Sequence, residues 1–408
     1  MKLKSLGQAP IMLLVVFLSL CLTSVQAVSA QTVSETPLIA TLHSYEDAVN
    51  TSDPLPDSNL SKAVLEIAEE RQGFYERYFD LGLHSDLTRI ESQFDQSSLS
   101  FKENGEVDVI EVLQLTGKPI LQVAKDYPVY KAAMLAIEQT KDKAIASKLQ
   151  KYANEILVAV QQSIDEGEFT ITFINSHKIT YDPATGRLLS DEYSSESKDD
   201  SGTDKLLWTD GGAVRIEPDL TLMPDYQIYV TPIASMAKDL RDSYLRTATS
   251  ADSQSPNDVS INYYGSTAAV YIRSYVATTK LICGYAADGS PVYQDKTHWN
   301  SSYSQYDCND CANYVSQALT YGGMATDSTW QPYTYAWYNV TGLVTYIIGN
   351  DLGYYTSSSL LGLGDLGTIP NEHVVMVSGL NPLRYSAHTS DRLNYAWQPS
   401  LTHSIDVY

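Results

Sequence analysis

Residues 306–319 read Tyr306-Asp307-Cys308-Asn309-Asp310-Cys311-Ala312-Asn313-Tyr314-Val315-Ser316-Gln317-Ala318-Leu319. Asp310 is a favoured N-cap type, Val315, Ala318 and Leu319 share an apolar face, and Gly322-Gly323 supplies a stop, so the spacing predicts a helix opening at Cys311. A cysteine in the first turn meets the positive end of the helix dipole and backbone N–H groups with no intrahelical acceptor, which favour the thiolate. The same N–H groups suit an oxyanion. A nucleophile also needs a base. His373 opens the run Val374-Val375-Met376-Val377, where strand alternation places His373, Val375 and Val377 on one face. A second strand, Leu383 to Ala387, ends at His388-Thr389-Ser390-Asp391, and an antiparallel return of that length brings His388 or Asp391 beside the His373 imidazole to orient it.

Outward from this region, 408 residues imply two or three structural units. With 43% hydrophobic and 19% charged residues the chain is globular rather than disordered. The formal charge of −22 argues against a nucleic-acid partner, which requires a basic face. Thirty Tyr against seven Phe suit half-wet clefts and sugar or peptide surfaces better than a dry core.

The chain opens with Lys2 and Lys4, an apolar run from Ile11 to Leu22, and small residues through Ala30, the order of a secretory signal. A lipoprotein alternative at Cys21 has Leu20 where a small residue is wanted. The expected organisation is a signal peptide (1–30), an N-terminal α+β accessory region (31–190), a linker with connecting strands (191–257) and a C-terminal domain (258–408). The mature product is expected outside the cell or at its wall, with no transmembrane segment.

In the accessory region, residues 45–85 read mostly as helix, 98–124 as a hairpin about Glu103-Asn104-Gly105, 128–164 as one long helix and 169–179 as a strand. Residues 190–204 and 247–258 read as polar connections, and strands are expected between Ala213 and Ile233. His43, His84 and His177 are isolated and read as ordinary surface or core histidines. Asp288-Gly289 reads as a hairpin turn. Gly362-Leu363-Gly364-Asp365-Leu366-Gly367 fits a dinucleotide glycine pattern but precedes a strand, so the phosphate-cradling geometry is not expected.

The segment Asp310-Cys311-Ala312-Asn313-Tyr314-Val315-Ser316-Gln317 resembles the Asp-Cys-Thr-Asn-Phe-Val-Ser-Gln signature of the bacterial family called the putative amidase domain, grouped with papain-like cysteine peptidases and related to NlpC-type and CHAP wall hydrolases. Tyr263-Tyr264, Ala336-Trp337-Tyr338-Asn339-Val340, Gly364-Asp365-Leu366, the His373 strand and His388-Thr389 follow the family's order over residues 260–395. The resemblance implies an α+β, NlpC-type domain with a helix-borne cysteine packed on an antiparallel sheet. It also implies a Cys311 nucleophile, a His373 base and hydrolysis of amide bonds in peptidoglycan or cell-wall peptides, without a cofactor. His388 matches the third catalytic position, with Asp391 its competitor, and Asp310 supports the helix start. Gln305 has the offset at which papain relatives place an oxyanion donor. Those relatives also suggest a Cys283–Cys308 disulfide that leaves the Cys311 thiol. Unpaired cysteines, a redox Cys308–Cys311 site and a zinc site of Cys283, His298, Cys308 and Cys311 stay open, although the zinc spacings match no common finger. The rival function is a noncatalytic wall- or glycan-binding module that retains the fold.

Overall fold

The computed structural model describes residues 32–51, 60–102, 105–195, 220–251, 263–277, 281–285, 291–389, 391–398 and 401–408. The expected export signal, the turn residues Glu103-Asn104 and Asp288-Gly289, residues 196–204 and 213–219, and positions 252–258 lie outside them.

Helices α1 (Thr32–Asn50) and α2 (Lys62–Arg77) come first, and the Ser61 hydroxyl caps α2 by accepting from Val64 N at 3.2 Å. Four strands follow, β1 (Ser85–Lys102), β2 (Glu106–Pro119), β3 (Phe169–Tyr181) and β4 (Leu188–Ser195), interrupted by α3 (Pro128–Gln139) and α4 (Lys143–Glu166). They form an antiparallel meander in the order β1-β2-β3-β4. Three expectations change here. The hairpin starts at Ser85 rather than near 98, because β1 exposes much of its length and shows little apolar alternation. The long helix is two, broken at 140–142, where Asp142 Oδ1 accepts from Ala144 N at 2.8 Å and starts α4 afresh. The strands expected before Ile233 are instead helical from Leu220: Pro224 opens α5 (Pro224–Val230), and Met236, Ala237, Leu240 and Tyr244 give α6 (Ile233–Ala251) a helical apolar stripe.

The C-terminal part comprises α7 (Gly265–Ser274), the hairpin β5 (Ile282–Tyr285) and β6 (Pro291–Tyr293), α8 (Cys311–Tyr321), α9 (Tyr335–Tyr338), α10 (Val340–Gly349), and strands β7 (Gly353–Thr356), β8 (Leu366–Ile369), β9 (His373–Gly379), β10 (Arg384–Ala387), β11 (Arg392–Ala396) and β12 (His403–Val407). The last six make one antiparallel sheet ordered β11-β10-β9-β8-β12-β7. The molecule is thus α+β with antiparallel sheets.

Alternation gives this sheet two buried faces. Leu366, Val374, Met376 and Ile405 pack with Cys311, Ala312, Val315 and Leu319 of α8. Ile369, Val375, Val377 and Trp397 turn the other way and share a core with Tyr152, Ile156 and Ala159 of α4. Polar ties cross the same junction: the Tyr152 hydroxyl donates to Leu360 O at 2.6 Å, Ser163 to Asn381 O at 2.7 Å and Lys151 Nζ to Tyr263 O at 2.7 Å. The N-terminal sheet and the sheet under α8 are therefore joined by one continuous core. No helix among the described residues is long and apolar enough to cross a membrane.

Segment 220–251 is fastened to the C-terminal sheet by a buried carboxyl. Asp225, in the first turn of α5, accepts the backbone N–H of Leu383 at 3.0 Å. Burial pushes this carboxyl up to about 7. Its folded-state value is above the unfolded one, so its contribution is full in acid and is lost as pH rises through about 7. Asp225→Asn keeps an oxygen for Leu383 N and removes the charge. At pH 8 the variant is expected to exceed the wild type by about 1–3 kcal/mol in urea unfolding, with near parity only at about pH 4 and below, where the unfolded carboxyl is also protonated. Equal pH slopes for the two proteins would refute the account.

Candidate active site at the start of helix α8

Cys311 is the first residue of α8, only 2% exposed and not part of a disulfide. Cys283 on β5 and Cys308 are bonded to each other, so two of the four ligands of the zinc alternative and one thiol of the redox alternative are consumed. The hairpin β5–β6 is thereby tied to the loop that leads into α8.

Asp310 stands at the N-cap position but does not cap: its side chain makes no bond to a first-turn N–H. Its carboxylate is drawn elsewhere, accepting from Tyr306 N at 3.0 Å, from Asn313 Nδ2 at 2.9 Å and from His388 Nδ1 at 2.8 Å. The first helical bond, Tyr314 N to Asp310 O at 2.9 Å, comes from its backbone. The Asp310 carboxylate thus leaves the first-turn N–H groups beside the thiol to other acceptors.

The remaining polar residues of the signature build the helix into its surroundings. Asn313 Oδ1 accepts from Trp337 Nε1 at 2.7 Å, Ser316 Oγ donates to Trp337 O at 2.8 Å and accepts from Trp330 Nε1 at 3.1 Å, and Gln317 Oε1 accepts from the Tyr271 hydroxyl at 2.7 Å. Trp299, Trp330, Trp337 and Trp397 are all buried. In the Gly-Asp-Leu motif, Asp365 accepts from Gly362 N at 2.6 Å and Val407 N at 3.0 Å, joining the turn before β8 to β12. Gly364 in that turn has φ +83°, a conformation suited to glycine, and a Cβ there would collide with the backbone of Gly265 in α7.

His388 lies flat on Tyr314, with ring centroids 3.5 Å apart, and Trp299 covers its other face at 4.2 Å. Nδ1 faces Asp310, while Nε2 donates to Tyr275 O at 2.7 Å. Both ring nitrogens are thus engaged, and neither is left to orient His373. The next residue, Thr389, accepts the Asp310 N–H with its Oγ1 at 2.9 Å. The His388-Thr389 pair is thus a clamp on the residue before Cys311.

His373 is the buried first residue of β9, paired with Ile369. Ser386 of β10 pairs with Met376 of β9, β10 ends at Ala387, and Thr389 just beyond it bonds the Asp310 N–H, so the end of β10 that runs beside the His373 half of β9 adjoins the start of α8. The start of β9 and the start of α8 therefore share one end of the sheet. Alternation assigns Val374 and Met376, not Val375 and Val377, to the face under α8. Asp391 Oδ2 accepts the N–H of Asp295 at 2.9 Å, and burial pushes its carboxyl up to about 6. Gln305 is exposed.

Sequence reading missed the strap formed by residues 294–299. Gln294 Oε1 accepts Cys308 N at 2.8 Å, Asp295 is held by Asp391, and Trp299 covers His388. Its one local signal is Asp295, which caps the short turn 296–298 through Thr297 N at 3.0 Å. A separate cavity of about 350 Å³, flanked by Tyr152, Tyr244, Tyr263, Asp365 and Asp406, lies between α4 and the sheet and includes no residue of α8 or β9.

Comparison with known proteins bears on this part of the chain. A family model described as "Putative amidase domain" matches residues 262–408, the segment that carries α7 to β12. The description of that family is of an amidase-type hydrolase domain. The chain is also 28% identical over 138 residues to the uncharacterized protein YjcM of Bacillus subtilis (strain 168), a match covering 29% of this chain and 34% of YjcM. The shared stretch is about a third of that relative's length. No solved structure matches.

Proposed function

We propose that the protein is a cysteine-dependent amidase of papain-like, NlpC-type design, exported through the signal at residues 1–30 and acting on amide bonds of peptidoglycan or cell-wall peptides. The observation that carries this reading is the Cys311 thiol at the first turn of α8, buried against β9, the strand that begins with His373. In this mechanism the thiolate attacks the amide carbonyl and the helix-start N–H groups hold the oxyanion. His373 takes the thiol proton and gives it to the leaving amine, and water then hydrolyses the thioester. Alternation puts His373 on the face of Val375 and Val377, opposite α8, so this mechanism requires its ring to reach Cys311 round the open end of β9. His388 acts through Asp310, holding the residue that precedes the thiol.

The noncatalytic alternative draws on exposed tyrosines: Tyr333 is 73% exposed and Tyr335 57%. One experiment separates the two. Purified peptidoglycan is incubated with untreated protein and with protein alkylated by iodoacetamide, and the muropeptides are analysed by mass spectrometry. New amine ends are expected with untreated protein alone. Binding without new ends, or release that survives complete alkylation of Cys311, would overturn the catalytic reading.

A further inference from the structure

At the Gly379 end of β9, away from His373, a cavity of about 20 Å³ is bordered by α4, α7 and strands β9, β10 and β11. Its charged lining residues are Arg273, Arg384 and Glu166, which together carry a charge of +1. Arg384, the first residue of β10, is 5% exposed. Among the described residues its guanidinium makes no hydrogen bond: Nε has no partner, and the nearest carboxylate, Glu166, stands 3.9 Å from Nη2. Glu166 is itself half exposed, and its other oxygen accepts from Gln162 Nε2 at 2.8 Å. Asp225 attracts Arg384 through space, but its carboxylate is bonded to Leu383 N. The Phe169 ring, 5.3 Å from the guanidinium carbon, supplies no acceptor. Gly379 permits the close seating of the group, since a Cβ there would lie 2.8 Å from Nε and 2.9 Å from Nη2.

An arginine cannot escape burial by losing its proton as a carboxyl escapes by gaining one. Burial pulls Arg384 down to about 10, which leaves it cationic at neutral pH. Unmet buried donors are costly, and an ion or a water is the ordinary way in which they are met. Two further donors line the same space. Arg273 of α7 gives Nη1 to Ser378 O, and Asn394 of β11 accepts the Ser378 hydroxyl at 2.9 Å through Oδ1, which leaves its Nδ2 as a donor. A water would accept from these groups without offsetting their charge, whereas a small anion does both. About 10–15 Å³ admits one water-sized sphere, so the cavity suits a single-atom ion and is too small for a phosphate.

We propose that Arg384, Arg273 and Asn394 form a binding site for one monovalent, monatomic anion of the size of chloride. Because α4 supplies one wall, the site is complete only when α4 is seated on the C-terminal sheet, and occupancy stabilises that arrangement. The proposal is independent of the Cys311 reading.

The full-length protein is dialysed into sodium gluconate, whose anion exceeds the cavity, and chloride is titrated in at constant ionic strength. The thermal midpoint should rise with chloride, and the chlorine NMR line should broaden in a way that bromide reverses. Arg384→Gln and Arg273→Gln each remove charge-assisted donors and should weaken half-saturation by about 10–100-fold. Glu166→Gln, at a half-exposed side chain, keeps an oxygen for Gln162 and removes the competing charge, so chloride should bind several-fold tighter. Should Arg384→Gln fail to fold, Arg273→Gln and Glu166→Gln carry the test with opposite expected signs. Equal midpoints and line widths in chloride and gluconate, for both wild type and Glu166→Gln, would show that water fills the cavity and overturn the proposal. Chloride binding unchanged in Arg273→Gln and in Glu166→Gln would place the ion elsewhere and overturn it as well.

Discussion

Cys311→Ala is expected to abolish amide hydrolysis, a loss of about 10⁴-fold or more, because the proposed mechanism carries the acyl group on that thiol. The fold should survive. Cys311 is a small buried residue in the core formed by Ala312, Val315, Val374 and Met376, and removing one sulfur from that cluster costs about 1–2 kcal/mol. The Cys283–Cys308 disulfide is untouched, so oxidised mass and a single unfolding transition confirm that the variant is folded. His373→Ala should lose activity to a similar extent, since nucleophile and base act as a unit and their losses do not add. Muropeptide release measured for both single variants and for the double variant checks this. Undiminished release by Cys311→Ala would end the cysteine mechanism. An active His373→Ala beside an inactive Cys311→Ala would place the base elsewhere and leave the nucleophile standing.

The surroundings of Cys311 were legible because local chemistry and long-range packing agree there. The apolar spacing of Val315, Ala318 and Leu319 marks α8 in the sequence, and the same residues are its packed face. The Val374–Val377 run is a strand both by composition and by pairing. What failed is instructive for its physics. Asp310 is a good capping type, but a carboxylate offered a histidine, an asparagine and a backbone N–H prefers them to the helix start. His388 was expected to face another imidazole, yet its partners come from Asp310 and from Tyr275 at the end of α7, contacts 78 and 113 residues distant along the chain. No local pattern encodes those distances. The same holds for Gln294, whose neighbours carry no sign that Cys308 is its partner. His177 read as an ordinary core histidine and is buried, but it belongs to a charged network that periodicity cannot disclose. Its strand, β3, alternates regularly, and alternation says only that the residue points inward.

That network supports the second large effect. Inside the N-terminal part, Glu111 of β2 receives both carboxylate bonds from Arg71 Nη2, at 2.7 and 2.6 Å, and further bonds from Asn175, Ser92 and His177. His177 Nδ1 meets Asp191 at 2.9 Å, and Asp191 also accepts from the Tyr45 hydroxyl at 2.7 Å. Arg71, Glu111 and Asp191 are wholly buried and His177 nearly so. Glu111→Ala would leave Arg71 and His177 without their shared carboxylate and is expected to cost about 3–5 kcal/mol, the penalty of breaking a buried pair from one side. Glu111→Gln keeps hydrogen-bonding capacity and should cost less. Burial opposes ionisation of Glu111, but Arg71 and His177 override it and hold the carboxyl well below its usual range. Its contribution is therefore present above the ordinary carboxylate value and is lost as pH falls through the depressed one. For His177 burial pulls the imidazole down, but Asp191 and Glu111 outweigh it and raise it above its usual value. Its contribution is full below about 6.5 and fades as pH climbs through the raised value. With Asp225 fading through about 7 in the same direction, the wild type should be most stable in mild acid. Glu111→Ala should flatten the acid limb in urea unfolding measured from pH 3 to pH 8. The effect should reach the C-terminal part as well, because Phe173 of β3 packs edge-on against Tyr395 of β11 at 5.2 Å within the core the two sheets share. Amidase activity and tyrosine fluorescence should then be lost at one midpoint. A Glu111→Ala protein within 1 kcal/mol of wild type, or activity that outlasts unfolding of the N-terminal part, would show that the two sheets are energetically independent.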